Sequence, residues 1–150
     1  MRDGEHGPGQ TTAAPEDLVL SLRAVARRAQ DFLAARAREL GLSSAEFTAL
    51  IRTADAGGVT AGELAQALGM RSSSVTGLAD RLEAKGLIAR RGHPHDRRAV
   101  VLHATRRGRT VVNRAIGPLL KQLVALADEL EADERALIAA FVERIDAAIP

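Results

Sequence analysis

Between Thr60 and Gly86 the chain holds two short helical patterns back to back, each with its own start and stop, and this limits the fold more than anything else in the sequence. Thr60-x-x-Glu63 is a capping box. The threonine hydroxyl can accept from an early backbone N–H while the glutamate carboxylate reaches back to the first N–H. The box predicts a helix of about eight residues with Leu64, Ala65 and Leu68 inward, closed by Gly69. After a three-residue turn, Ser72 opens a second helix that runs to Lys85 and stops at Gly86. Val75, Leu78, Ala79 and Leu82 fall at i, i+3, i+4 and i+7, which makes one apolar stripe. Ser73, Ser74, Thr76, Gly77, Asp80 and Arg81 make the opposite face. Two short helices joined by a tight glycine-containing turn, the second with a small hydrogen-bonding face, match a helix-turn-helix.

A hairpin comes next along the chain. Leu87-Ile88-Ala89-Arg90-Arg91 and Ala99-Val100-Val101-Leu102-His103 read as two strands around a loop, Gly92 to Arg98, too polar for a core. A helix-turn-helix with a basic hairpin after it is a winged helix. On its N-terminal side, Ser43-x-x-Glu46 is a second capping box, opening a helix to about Asp55 with Phe47, Leu50 and Ile51 inward. Residues 1–15, with three Gly and two Pro and no hydrophobic period, are expected to be a disordered tail. A long helix is expected over Glu16 to Leu40, its seam formed by Leu18, Leu22, Val25, Ala29 and Phe32 and its end set by Gly41. Thr105 can cap another from Arg106 to Leu130, with Val112, Ile116, Leu119, Leu123, Leu126 and Leu130 in one row. Pro118 predicts a kink after Ile116. A last helix, Asp133 to Ile149, carries Leu137, Phe141 and Ile145. The fold class is therefore mainly α with a small β-hairpin wing.

Composition narrows the chemistry. With no Cys there are no disulfides, thiolate metal sites or cysteine switches. No apolar run reaches the roughly 18 residues of a membrane span, so no membrane partner and a cytoplasmic location are expected. Charge is polarised. Between Arg81 and Arg109 nine basic residues stand against Glu83 and Asp96 alone, an excess of seven in a chain of net charge +2. From Asp128 to Asp146, by contrast, seven acids surround two arginines, a solvated pattern. One basic face suits a polyanion. A helix with its side chains is about 10–12 Å across and fits a major groove roughly 12 Å wide. Ser72, Ser73, Ser74 and Thr76 can then reach base edges and phosphates, as can Arg71 and Arg81. The hairpin loop directs Arg97 and Arg98 toward the adjacent minor groove, Arg90 and Arg91 are expected among the DNA-binding residues, and Asp96 can hold the Arg98 fork in one rotamer.

The residues that carry this reading also resemble a known family. Leu64-Ala-x-x-Leu68, the run Ser73-x-Val75-Thr76-x-Leu78-x-Asp80-Arg81-Leu82-Glu83-x-Lys85-Gly86-Leu87-Ile88, Asp96-Arg97-Arg98-Ala99 and Thr105-x-x-Gly108-Arg109 look like the MarR family of bacterial transcription regulators. The resemblance covers nearly everything after the tail. It implies a homodimer on a pseudo-palindromic operator in double-stranded DNA, and repression relieved by a small ligand. Residues 16–42 and 106–150 would be dimerisation helices around a winged helix-turn-helix at 43–105. Arg98 would be the minor-groove arginine and Asp96 its organiser. A small aromatic or anionic effector would lie among Phe32, Phe47, Ile51 and Ile116, residues that read equally well as core. Gly77, where a longer polar side chain is usual, and Ala104, in place of leucine, depart from the pattern.

Other chemistries find little support. No G-x-S-x-G elbow surrounds Ser72 to Ser74, and helix-start chemistry explains those serines better than nucleophilic catalysis. His93 and His95 flank a proline near Asp96 only, so no metal is expected. His103 reads as an exposed or hydrogen-bonded structural residue. Neither an enzyme nor a cofactor is expected. The alternative function is a ligand-binding or protein-interaction dimer whose helix-turn-helix no longer reads DNA, which the short face at Gly77 would favour.

Overall fold

The computed structural model describes residues 14–92 and 100–149. Its elements, in order, are α1 (Pro15–Glu39), α2 (Ser44–Asp55), β1 (Val59–Thr60), α3 (Ala61–Leu68), α4 (Ser72–Ala84), β2 (Ile88–Gly92), β3 (Val100–Ala104), α5 (Arg106–Asp128) and α6 (Ala132–Ala148). The chain divides within α2 into two compact units, residues 1–47 and 48–150.

In the first unit α1 begins at Pro15, a residue expected in the tail, because a proline in the first turn gives up only an N–H that has no helical partner. The rest of that tail lies outside the described residues, apart from Ala14, the N-cap. Glu16 and Asp17 sit in the first turn, Arg36 and Arg38 in the last, each end matched to the helix dipole. Ser43 and Glu46 close their box as expected. The Ser43 N–H donates to Glu46 Oε2 at 2.8 Å and the Glu46 N–H donates to Ser43 Oγ at 3.1 Å.

The α2 helix corrects one expectation. Phe47 and Leu50 are buried as expected, but Ile51 is only half-buried, and the buried face also takes in Glu46, Ala49 and Thr53. Glu46 and Thr53 are polar, so a reading that follows apolar side chains misses them. Both are satisfied locally, Glu46 by its capping box and Thr53 by donating from Oγ1 to the Ala49 carbonyl at 2.7 Å.

In the second unit Thr60 makes the reciprocal box with Glu63, and Gly69 ends α3 with φ +59°, a conformation that an L side chain resists. Thr60→Ala should lower stability by about 1 kcal/mol, read from the midpoint of urea unfolding. Leu64 and Ala65 of α3 and Val75, Leu78, Ala79 and Leu82 of α4 are buried, together with Leu87, Ile88, Val101, Leu102, Ala104 and Val112. The stripe expected on α4 is the observed one.

The first hairpin strand begins one residue later than the sequence suggests, Ala99 of the second lies outside the described residues, and the two strands have a companion that the sequence did not reveal. The sheet is antiparallel in the order β1-β3-β2, with Ile88 opposite Ala104, Arg90 opposite Leu102 and Val59 opposite Leu102 on the other side. Two residues are too short for an alternation signal, so β1 was invisible. His103 is hydrogen-bonded as expected, its Nδ1 lying 2.7 Å from the Gly57 carbonyl oxygen. Thr105 caps α5 by accepting from the Gly108 N–H at 3.0 Å, and the helix continues unbroken through Pro118.

Candidate nucleic-acid interface

The α4 helix owes its two-sided character to spacing. With Val75, Leu78, Ala79 and Leu82 buried, geometry leaves Ser72, Ser73, Ser74, Thr76, Asp80 and Arg81 exposed, with Arg71 exposed at the N-cap. The serines do not cap the helix. Arg71 is the N-cap and makes no side-chain cap bond, while Thr76 donates from Oγ1 to the Ser72 carbonyl at 3.1 Å. The start of α4 therefore keeps the hydroxyls of Ser73 and Ser74 on an open face, next to the half-buried Gly77.

The hairpin arginines divide. Arg91 is exposed at the end of β2. Arg90 is turned onto α4 instead. One of its terminal nitrogens lies 2.6 Å from Asp80 Oδ1, the other donates to Glu83 Oε2, and its backbone N–H donates to Glu83 Oε1 at 3.2 Å. The Asp80 hydrogen bond is the main cause that holds the Arg90 pKa above the usual arginine range, with burial opposing and Glu83 adding to the rise. Arg90, expected among the DNA-binding residues, is thus engaged by two carboxylates of α4. The bridge to Asp80 and Glu83 was not anticipated. The signal that could have found it is a pair of acids at i and i+3 on a helix otherwise facing a polyanion. Asp96, Arg97 and Arg98, with His93 and His95, lie outside the described residues.

Beyond the hairpin the basic surface continues. Arg106 and Arg107 are exposed in the first turn of α5, and Arg109 donates to the Ala104 carbonyl at 2.5 Å, tying that turn to the end of β3. Three arginines and no acid in a first turn oppose the helix dipole, an arrangement that favours a nearby anion over stability.

The residues expected to hold an effector fall in different units. In the first, Phe47 is buried and Phe32 is half-buried, with the Arg36 guanidinium carbon 5.3 Å from the Phe32 ring centre. In the second, Ile51 and Ile116 are half-buried. Among the described residues no cluster of His, Asp or Glu is placed to hold a metal, and no helix is long and apolar enough to cross a membrane.

Comparisons with known proteins meet this geometry. The family model described as MarR family matches residues 40–99, from the end of the first helix through the hairpin. An HTH-type transcriptional regulator of Bacillus subtilis, YcgE, is 36% identical over 111 residues, covering 74% of this chain and 72% of that protein. The HTH-type transcriptional repressor MdtR, also from B. subtilis, is 34% identical over 92 residues, 61% of this chain and 59% of that one. Among solved structures, a mutant MarR from E. coli complexed with operator DNA is 26% identical, with a TM-score of 0.57 over 89% of this chain and 94% of that chain.

Proposed function

The chain belongs to the MarR family of transcriptional regulators, and from that premise we propose that it is a homodimeric repressor that places α4 in the major groove of a pseudo-palindromic operator. The observation that carries the reading is the exposed Ser73, Ser74, Thr76 and Arg81 face of α4, set beside a strongly basic hairpin sequence. The name of MdtR as a repressor and the operator complex of the E. coli relative support it. Arg71 and Ser72 reach phosphates at the start of the helix, while Arg91, Arg97 and Arg98 serve the flanking minor groove, with Asp96 orienting Arg98. The chain binds and releases DNA, turning over no substrate, in the cytoplasm where the chromosome lies.

Exposed apolar residues support the dimer. Val25 on α1 and Leu137 on α6 are 65% and 73% exposed, and Leu123 and Leu126 on α5 are exposed as well. Large apolar surfaces of this kind mark association. Two copies would present two α4 helices roughly 34 Å apart, one turn of duplex. Release by a small aromatic or anionic effector completes the reading, and screening such acids for a shift in melting temperature tests it.

Arg98→Ala is expected to weaken operator binding by about 1–3 kcal/mol. Fluorescence anisotropy on a duplex selected from a random library measures it. No selected duplex at all, from a folded dimer, would overturn the reading in favour of a dimer that does not read DNA.

A further inference from the structure

The bridge between β2 and α4 engages a cation of the basic hairpin with two acids of the helix, and it is unexpected on charge alone. Asp80 and Glu83 put two carboxylates, one turn apart, on the helix that is to approach a phosphate backbone. Unpaired acids there would repel DNA, so a neutralising partner matters. That partner is one guanidinium. Arg90 spans both, and its own N–H donates to Glu83, so the strand and the helix are joined through side chain and main chain together. An isolated exposed ion pair contributes little to stability. A planar fork held at two points by carboxylates contributes direction as well, since its orientation is fixed by both.

We propose that Arg90 is a positioning residue, clamped by Asp80 and Glu83 so that the first hairpin strand and the recognition helix meet a duplex as one preset unit, and that it makes no phosphate contact of its own. The proposal rests on the DNA-binding reading. Its consequence has an unusual sign. Asp80→Asn with Glu83→Gln removes two negative charges from the face that meets DNA and frees a cation, so simple Coulomb attraction would tighten binding. Loss of the clamp weakens it instead, on the order of tenfold. Arg90→Lys keeps the charge but replaces the fork by one point donor, and it should weaken binding by a similar factor.

The test is anisotropy on a duplex selected with the unaltered chain, at a temperature well below the melting point of every variant. Adding Arg90→Lys to the double variant should cost nothing further, because all three side chains act as one unit. Equal or tighter binding by the carboxylate variant overturns the proposal, and so does full affinity in Arg90→Lys, which is the mark of a phosphate contact. If the carboxylate variant does not fold, Arg90→Lys decides alone by the same criterion. If the unaltered chain binds no duplex, the failure belongs to the DNA-binding reading, and the proposal falls with it.

Discussion

Gly108→Ala is expected to destabilise the fold by about 3 kcal/mol, among the largest effects of any single methyl group here. A Cβ at that position would lie 2.1 Å from the Leu87 carbonyl oxygen, 3.1 Å from the carbonyl carbon and 3.2 Å from Leu50 Cδ1. The obstacle is backbone, which cannot swing aside as a side chain can. Nor is that carbonyl idle. It accepts from the Thr105 N–H at 3.0 Å and from Thr105 Oγ1 at 3.2 Å, and the same hydroxyl also donates to the Gly86 carbonyl at 2.8 Å. Relief of the clash would open the junction at which α4 ends, β2 begins and α5 is capped. Gly62→Ala, in α3 with only Thr60 Oγ1 at 4.0 Å, is the control, and it should be neutral or stabilise by about 0.5–1 kcal/mol. Urea unfolding of both variants at one protein concentration measures the contrast. Equal midpoints for the two would refute the close-approach argument.

Gly108 also shows what the sequence could and could not reveal. Its place in Thr105-x-x-Gly108 was visible through resemblance, but the carbonyl it must clear comes from Leu87, which no local pattern connects to it. Starts and stops were legible because capping is local chemistry. Ser43 with Glu46, and Thr60 with Glu63, each involve residues three apart. The α4 stripe was legible for a similar reason, since helical spacing alone sorts its faces. What escaped depends on partners distant along the chain or on signals too short to read. The β1 strand exists because Val59 and Thr60 meet Leu102 and Val101. In the sequence Arg90 is one more basic residue in a basic window. Only the folded pairing of β2 with α4 exposes its two carboxylate partners.

Salt offers the largest effect on binding. Raising it from about 50 to 200 mM should weaken operator affinity by roughly a thousandfold or more, as expected when six to ten phosphates are neutralised and their counterions released. Net charge would not suggest this, since +2 over 150 residues is nearly neutral. The expectation comes from position. Nine basic residues against two acids lie between Arg81 and Arg109, whereas the acids are concentrated toward α6. Screening confines phosphate attraction to about 7–14 Å across these salt levels, so acids beyond that range subtract little from a basic face. Local and global charge therefore give different slopes of log K against log salt. Arg71→Gln should make the slope shallower by about two, one for each copy in the proposed dimer, while Arg144→Gln, on α6, should leave it unchanged. Salt also strengthens apolar association, so the chain must be kept well above the dissociation constant of the proposed dimer throughout, or a loss of subunits would mask the loss of phosphate contacts. With that held, a shallow slope in the unaltered chain would mean that the basic window does not face the duplex.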